Sequence, residues 1–336
     1  MSRKLRMLYV SPTSPGPKAP WILGQGRLHA DIDWDVVYLP QSGSVARFVA
    51  ALFLPRRLGR YDCVITAEYY EAAGMNLRLL LTLSRTRHVI WGLNQSRKAL
   101  VQKFVKPVAD RLFRRADAIA VHSTSEIAMF CALHGLDEAR FHFVHWGFDL
   151  PPITPTTFSA GQAPYVCLIG RNNRDLVTFA EGLAGTGMKG VVIADDVPPG
   201  VRELLDKHGV DVHLKADFNT CLDCIRNATA SAVLLNDSSR GAGHITMVAA
   251  MFLGVPQIVT DTGVVKDYFT HEQHGISVPL GAPDAFRQAV LELRDDTSTR
   301  LRTSKNAQAF AMAHFTNDAV AARFLEIIAG QKFQRR

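Results

Sequence analysis

Apolar residues run along this chain in short, closed bursts, set between longer stretches where they recur every three or four positions. Bursts at 5–11 (LRMLYVS), 35–40, 62–68, 87–93, 118–123 and 141–147 are too short for helices and are apolar on both faces. That pattern predicts buried parallel strands. Helical spacing between them predicts helices near 44–54, 71–84, 97–115 and 124–134. Residues 149–164 (DLPPITPTTFSAGQAP) break the rhythm, because four prolines with Thr, Ser and Gly continue neither element. The alternation restarts at 165–170, 190–195, 210–215, 231–236, 256–261 and 275–280, and three helices (282–296, 298–313 and 317–330) close the chain. Strands alternating with helices imply doubly wound α/β sheets, here twice over. The expected organisation is an N-terminal Rossmann-like domain over 1–150, a linker over 151–164, and a second Rossmann-like domain over 165–315. The helix over 316–330 closes the chain.

Composition sharpens this picture in three places. Hydrophobic residues make up 47% of the 336 and charged residues 21%, a globular balance with enough chain for two cores. No apolar run approaches the roughly 18 residues that span a bilayer, and the basic start runs directly into a strand rather than a secretory leader. A cytoplasmic protein is expected. Among five cysteines only Cys221 and Cys224 form a CxxC, at helical spacing and without a second pair or a His-x-His cluster. They read as two thiols on one helix face rather than a zinc or redox centre.

The net charge of +7 is unevenly placed. Residues 1–150 hold 20 Lys and Arg against 12 Asp and Glu, whereas the remainder holds 18 against 19. All the excess positive charge therefore lies in the first half, which suits an anionic partner there, such as an inner membrane face or a lipid diphosphate. Segment 97–115 repeats the theme. Leu100, Phe104, Val108 and Leu112 form a stripe, with Arg and Lys largely off it and Pro107 placed to kink the helix. A core helix with a solvated face and a membrane-surface helix both fit it. Nucleic acid would also suit the charge, but no groove-reading motif or aromatic platform accompanies it, and no nucleic-acid partner is expected.

Ligands of open parallel sheets sit at the carboxyl ends of strands, where helix N-termini offer backbone N–H groups. The strongest such place is NDSSRGAGHITM (236–247), where Gly241 and Gly243 precede His244, Ile245 and Thr246 at the start of an apolar helix. Glycines let the backbone close on an anion, and the helix start supplies donors and partial positive charge. Thr246 could cap the helix or add a hydroxyl. A plain strand-to-helix turn has the same look. Arg171 and Arg174 follow the strand at 165–170, and two guanidinium groups at a strand end suit a diphosphate. Cations at a helix N-terminus otherwise oppose its dipole. In the first half, Gly24, Gln25 and Gly26 form a glycine turn after the first strand, a second place for a phosphate or sugar to approach, or simply a tight loop. Glu68 and Asn94 stand at carboxyl ends of strands and are candidate catalytic, acceptor or sugar contacts. The histidines at 88, 122, 142 and 145 read as packed or hydrogen-bonded groups.

These residues carry a resemblance. Gly170-Arg171, GAGHITMVAAMFLGVPQIVTD and GVVKDY (263–268) resemble the retaining glycosyltransferases of family 4 and their relatives, and FRRADAIAVHSTSE, FHFVHWGFD and HFTNDAVAARFLEII are similar to other parts of the same pattern. The resemblance implies a GT-B fold: two Rossmann-like doubly wound parallel-sheet domains facing a central cleft. It implies a UDP- or GDP-sugar donor held by the second domain, a glycan or lipid-linked acceptor held by the first, retention of configuration, and no metal. On that mapping Arg171, Arg174 and the 241–246 turn take the diphosphate, while Lys215 to Phe218 lie beside the nucleobase. Two glutamates usual in the family fall here at about Arg240 or Gly241 and at Ala249, none of them acidic. Asp237 or Asp267 then stands as a substitute on the ribose side. The missing carboxylates leave two other readings open: a silent GT-B scaffold that binds a partner, and a GT-B nucleotide-sugar epimerase, although the latter chemistry wants acid–base groups that this half of the chain is poor in.

Overall fold

The computed structural model describes residues 4–11, 32–39, 43–93, 106–160, 163–237 and 242–330. The chain divides into two compact units, one formed by Met1–His145 with Asn317–Arg336 and the other by Trp146–Thr316. Each contains one six-stranded sheet whose neighbouring strands are all parallel.

The first unit runs β1 (Leu5–Ser11), β2 (Ile32–Tyr38), α1 (Ser44–Leu52), β3 (Cys63–Ala67), α2 (Tyr69–Leu81), β4 (Arg87–Trp91), α3 (Lys106–Phe113), β5 (Ala118–Val121), α4 (Ser125–His134) and β6 (Phe141–Phe143). Its sheet order is β2-β1-β3-β4-β5-β6. Strands β3 and β5 are buried at every position, which is why their sequences read as unbroken apolar runs. One face packs under α1 and α2 through Leu8, Val64, Met75 and Leu79. The opposite face is covered by α11 (Asn317–Gly330), whose Phe324 meets Trp91 edge-on at 4.8 Å. Pro107 lies in the first turn of the described part of α3. Residues 97–105 of that predicted helix lie outside the described residues.

The second unit runs β7 (Tyr165–Ile169), α5 (Leu176–Leu183), β8 (Lys189–Ala194), α6 (Pro199–Lys207), β9 (Val210–Leu214), α7 (Phe218–Asn227), β10 (Ala230–Val233), α8 (His244–Phe252), β11 (Gln257–Thr260), β12 (Gly275–Val278), α9 (Pro283–Asp295) and α10 (Thr297–His314). Its strands lie in the order β9-β8-β7-β10-β11-β12, which is 3-2-1-4-5-6 within the unit and hence the Rossmann order. Helices α5, α6 and α9 cover one face, and α7 with α8 the other. The proline-rich stretch is fastened to this unit. Phe158 is buried against Tyr165, and the Asp223 carboxylate on α7 accepts from the Thr156 and Ser159 hydroxyls at 2.7 and 2.8 Å. Cys221 and Cys224 lie on α7 as free thiols, Cys224 fully buried.

Candidate functional site

In the second unit the strand order reverses between β7 and β10, and the chain leaves the sheet in opposite directions from these two neighbours. A crevice at such a reversal is where open α/β sheets take their ligands. The segment after β7 is 170–175, and the segment after β10 leads into α8. Both stretches singled out by their glycines and arginines therefore arise at one place.

Several bonds fasten the two segments to each other. Arg174 and Leu235 pair as an isolated antiparallel bridge. The Asn236 amide donates to the Arg174 carbonyl at 2.9 Å, and the Asn173 amide donates to the Asp237 carbonyl at 2.9 Å. Asn173 adopts φ 56°, a conformation that Asn tolerates better than most side chains. Asp175 caps α5 by accepting from the Thr178 N–H at 2.9 Å. The loop after β7 is thus set by side-chain amides and a cap, and Arg174 is set with it.

Arg171 and Arg174 are placed differently. The Arg174 guanidinium is folded inward: Nε donates to the Ile169 carbonyl and Nη1 to the Asn172 carbonyl, both at 2.9 Å. A side chain on Gly170 would begin 2.2 Å from this guanidinium, so the planar group lies directly on the glycine's bare face. A Cβ on Gly243 would come 3.9 Å from Nη1 and Nη2. Burial lowers the Arg174 pKa to about 10, and the group stays cationic at neutral pH. Arg171 is solvent-exposed and pairs with Asp195, beyond the end of β8, at 3.4 Å. So exposed a pair is readily exchanged for another anion.

Helix α8 begins with Gly243 in the left-handed conformation (φ 88°) and carries no side-chain cap. Its opening N–H groups thus start beside a half-buried cation at a strand reversal, a favourable setting for an anion. The side chains of the first turn do other work. Thr246 donates its hydroxyl to the Ile169 carbonyl at 3.2 Å, so it ties the helix to the end of β7 and does not cap it. His244 donates from Nε2 to the Val264 carbonyl at 3.0 Å, and its ring stacks on Tyr268 at 4.3 Å. Its imidazole is structural, which leaves its backbone as the part available to a ligand. Tyr268 is itself buried, and its hydroxyl accepts from the Trp146 N–H at 2.6 Å. Ile245 is exposed. Gly241 and Arg240 lie outside the described residues.

Beyond β9, Lys215 is exposed with φ 56°, and Phe218 opens α7 half-exposed, its ring edge-on to Phe148 at 5.8 Å. Asp217 caps that helix through the Thr220 N–H at 2.7 Å. Asp267 is half-buried in the turn that delivers Tyr268. Ala249 is packed into the core between α7 and α8, so a carboxylate at that position would be buried rather than offered to a ribose.

The first unit has its own reversal, between β1 and β3. Glu68 follows β3 there with φ 66° and ψ 178°, a conformation that L-residues other than Gly rarely hold. Arg47 of α1 reaches its carboxylate at 3.0 Å and that of fully buried Glu71 at 3.2 Å. Burial pushes Glu71 up to about 7, although Arg47 opposes the shift. Nothing in the sequence announced this triad, because Arg47 sits 21 and 24 residues from its partners in an unremarkable helix. His88 is also buried, donating to Asn76 Oδ1 at 2.7 Å and accepting from the Thr66 hydroxyl at 2.8 Å. Burial drives its pKa down to about 3, so it is neutral. Asn94, Gly24, Gln25 and Gly26 lie outside the described residues. Among the described residues no group of acidic, His or Cys side chains is arranged to hold a metal ion, and no helix is long and apolar enough to cross a membrane.

Comparison with known structures is decided by the two sheets. The chain superposes on Anabaena HepE in complex with UDP and glucose with a TM-score of 0.72 at 13% identity, covering 97% of this chain and 100% of that one. The fold is GT-B. Sucrose-phosphate synthase from Thermosynechococcus elongatus gives a TM-score of 0.70 at 14% identity, covering 97% of this chain and 99% of that one. A glycosyltransferase from Rickettsia africae gives 0.69 at 12%, covering 98% and 99%. Residues 200–310, from α6 into α10, match the sequence profile of the glycosyl transferases group 1. Compared by sequence with curated proteins, the chain matches none. The profile spans the start of α8 in this GT-B second unit, whereas Arg171 and Arg174 fall before it.

Proposed function

We propose that this chain is a glycosyltransferase that takes a UDP- or GDP-sugar as donor and transfers its hexose-type residue, with retention and without a metal, to a glycan or lipid-linked acceptor in surface polysaccharide or glycolipid assembly. One observation carries the reading: a half-buried cation, Arg174, lies against Gly170 and close to Gly243 at the uncapped start of α8, at the strand reversal of a Rossmann-ordered sheet. A departing nucleoside diphosphate needs fixed positive charge and oriented N–H donors where its own charge develops. Arg174 and the His244–Thr246 backbone, with Gly241 and Gly243 giving clearance, would supply both. Arg171 would leave Asp195 for the outer phosphate oxygens. Lys215 and Phe218 would flank the nucleobase, and Asp267 the ribose. The UDP and UDP-glucose complexes of Anabaena HepE, which shares the fold, are consistent with that donor. Glu68, with Asn94, would contact the acceptor or the transferred sugar.

The test is turnover. UDP-glucose and GDP-mannose are incubated with the protein and a mixture of short glycans and polyprenyl-linked sugars, and free nucleotide is measured. Release from either donor, suppressed when Arg174 is replaced by Ala, is expected. Tight UDP or GDP binding with no release from any sugar nucleotide would favour a silent scaffold, for which the non-acidic Ala249 is the specific observation.

A further inference from the structure

The first unit carries an apolar surface outside its core. Helix α1 turns Arg47 toward Glu71, and its Phe48 backbone crowds the bare face of Gly74 on α2. The other stripe of α1, Val45, Val49 and Phe53 at intervals of four, faces solvent, and Phe53 is 74% exposed. The end of α2 behaves alike: Leu81 is 70% exposed and Leu83 is 89% exposed. Leu83 moreover occupies φ 48°, an unfavourable setting for a leucine with nothing to bury against.

These two helix ends are one surface. Arg78 on α2 donates to the carbonyls of Leu52, Leu54 and Arg56. The Thr86 hydroxyl donates to the Leu58 carbonyl at 2.8 Å. The turn that carries Phe53 is therefore bound to the turn that carries Leu81 and Leu83. Arginine outnumbers carboxylate around them, with Asp35 and Asp62 flanking the first of two basic runs. Between Val36 and Tyr61 the chain has four arginines and no acidic residue, and between Ala72 and Arg87 it has three and none. Arg47 and Arg78 are spent inside the unit, and Arg56 meets Asp35 at 2.9 Å. Arg57 and Arg60 are exposed beside the apolar tips.

Large apolar side chains flanked by an excess of arginines match an anionic lipid surface: the tips enter the boundary of the acyl region and the guanidinium groups meet headgroup phosphates. We propose that this end of the first unit docks on an anionic membrane, through Phe53, Leu81 and Leu83 with Arg57 and Arg60. The proposal goes beyond the reading above, because the patch sits at the end of α2 opposite Glu68. Its geometry is independent of the donor site.

The experiment is co-sedimentation of the full chain with vesicles of phosphatidylcholine alone and with an equal mixture of phosphatidylcholine and phosphatidylglycerol. Binding to the mixed vesicles alone, weakened by salt, is expected. Replacing Phe53, Leu81 and Leu83 together by Ser should lower the apparent affinity at least about tenfold. Arg57→Gln with Arg60→Gln should lower it about fivefold for each arginine. Failure of the unaltered protein to sediment with anionic vesicles, or equal binding by the variants, would overturn the proposal. So would a concentration-dependent dimer in light scattering that the triple-serine variant abolishes, because the patch would then belong to a second copy. UDP titration of the same preparations separates the two claims: vesicle binding without UDP binding would sink the donor site alone, and UDP binding without vesicle binding would sink the docking surface alone.

Discussion

Arg171 and Arg174 stand three residues apart in the sequence and meet different surroundings. Their number and their place after a strand were legible, but which one turns inward was not. That choice depends on Gly170 leaving a bare face for a guanidinium and on two Asn amides from separate segments closing the loop. His88 teaches the same lesson on the other unit. A packed histidine was readable, whereas its partners Thr66 and Asn76 meet it only in the fold. Its consequence is measurable. Burial drives the folded-state pKa from the ordinary 6.5 to about 3, so neutral His88 contributes stability that is full above pH 6.5 and lost as pH falls toward 3. Glu71 acts with the opposite sign: raised from 4.5 to about 7, its contribution is full below pH 4.5 and fades as pH rises through 7. Denaturant titrations across pH should therefore show His88→Gln flattening the acid limb by up to about 1.4 kcal/mol per pH unit below 6.5. An acid limb as steep in the variant as in the wild type would remove His88 from that role.

At the scale of elements, α8 shows what glycine spacing does and does not reveal. The helix start after a buried strand was evident from GAGHITM, and the anion-cradle role proposed for it rests on the same glycines. Of the two roles open to Thr246, the structure shows no cap: its hydroxyl bonds the end of β7, while Gly243 opens the helix in a left-handed turn. Two glycine substitutions separate fold from site. In Gly243→Ala the new Cβ would lie 2.5 Å from Val233 Cγ1 with φ at 88°, and the unit should lose about 2–4 kcal/mol in a denaturant titration. In Gly170→Ala the atoms nearest the Cβ belong to the far end of Arg174, 2.2 Å away, at φ 155°. The guanidinium can swing aside, so stability should fall less than in Gly243→Ala while UDP affinity falls as though Arg174 were gone. Equal losses of stability with intact UDP binding would show that the guanidinium does not matter to the ligand. The Lys106–Phe113 helix marks the limit of periodicity: a basic amphipathic pattern over 97–115 read as one helix, and the proline that would have kinked it stands at the start of the described part.

At the scale of the whole molecule, two sheets and most of their strands followed from apolar bursts, because parallel strands buried on both faces leave no alternation to misread. The order of those strands was not legible, since pairing depends on contacts far apart in sequence. Only the structure puts the loops after β7 and β10 side by side. The helix α11 returns to the first unit after the chain has completed the second, and covers a sheet face there. Phe324→Ala should therefore destabilise the first unit by about 3–5 kcal/mol, giving an earlier unfolding step while UDP binding to the second unit persists below that transition. The central claim concerns that binding. Calorimetric titration of UDP, and of GDP in parallel, into the unaltered chain and into Arg174→Ala tests it most directly. One of the two nucleotides should bind the unaltered chain, and the variant should bind it about tenfold to a hundredfold more weakly, the loss of a charge-assisted hydrogen bond. No heat from either nucleotide, or an affinity unchanged by the substitution, would contradict the account.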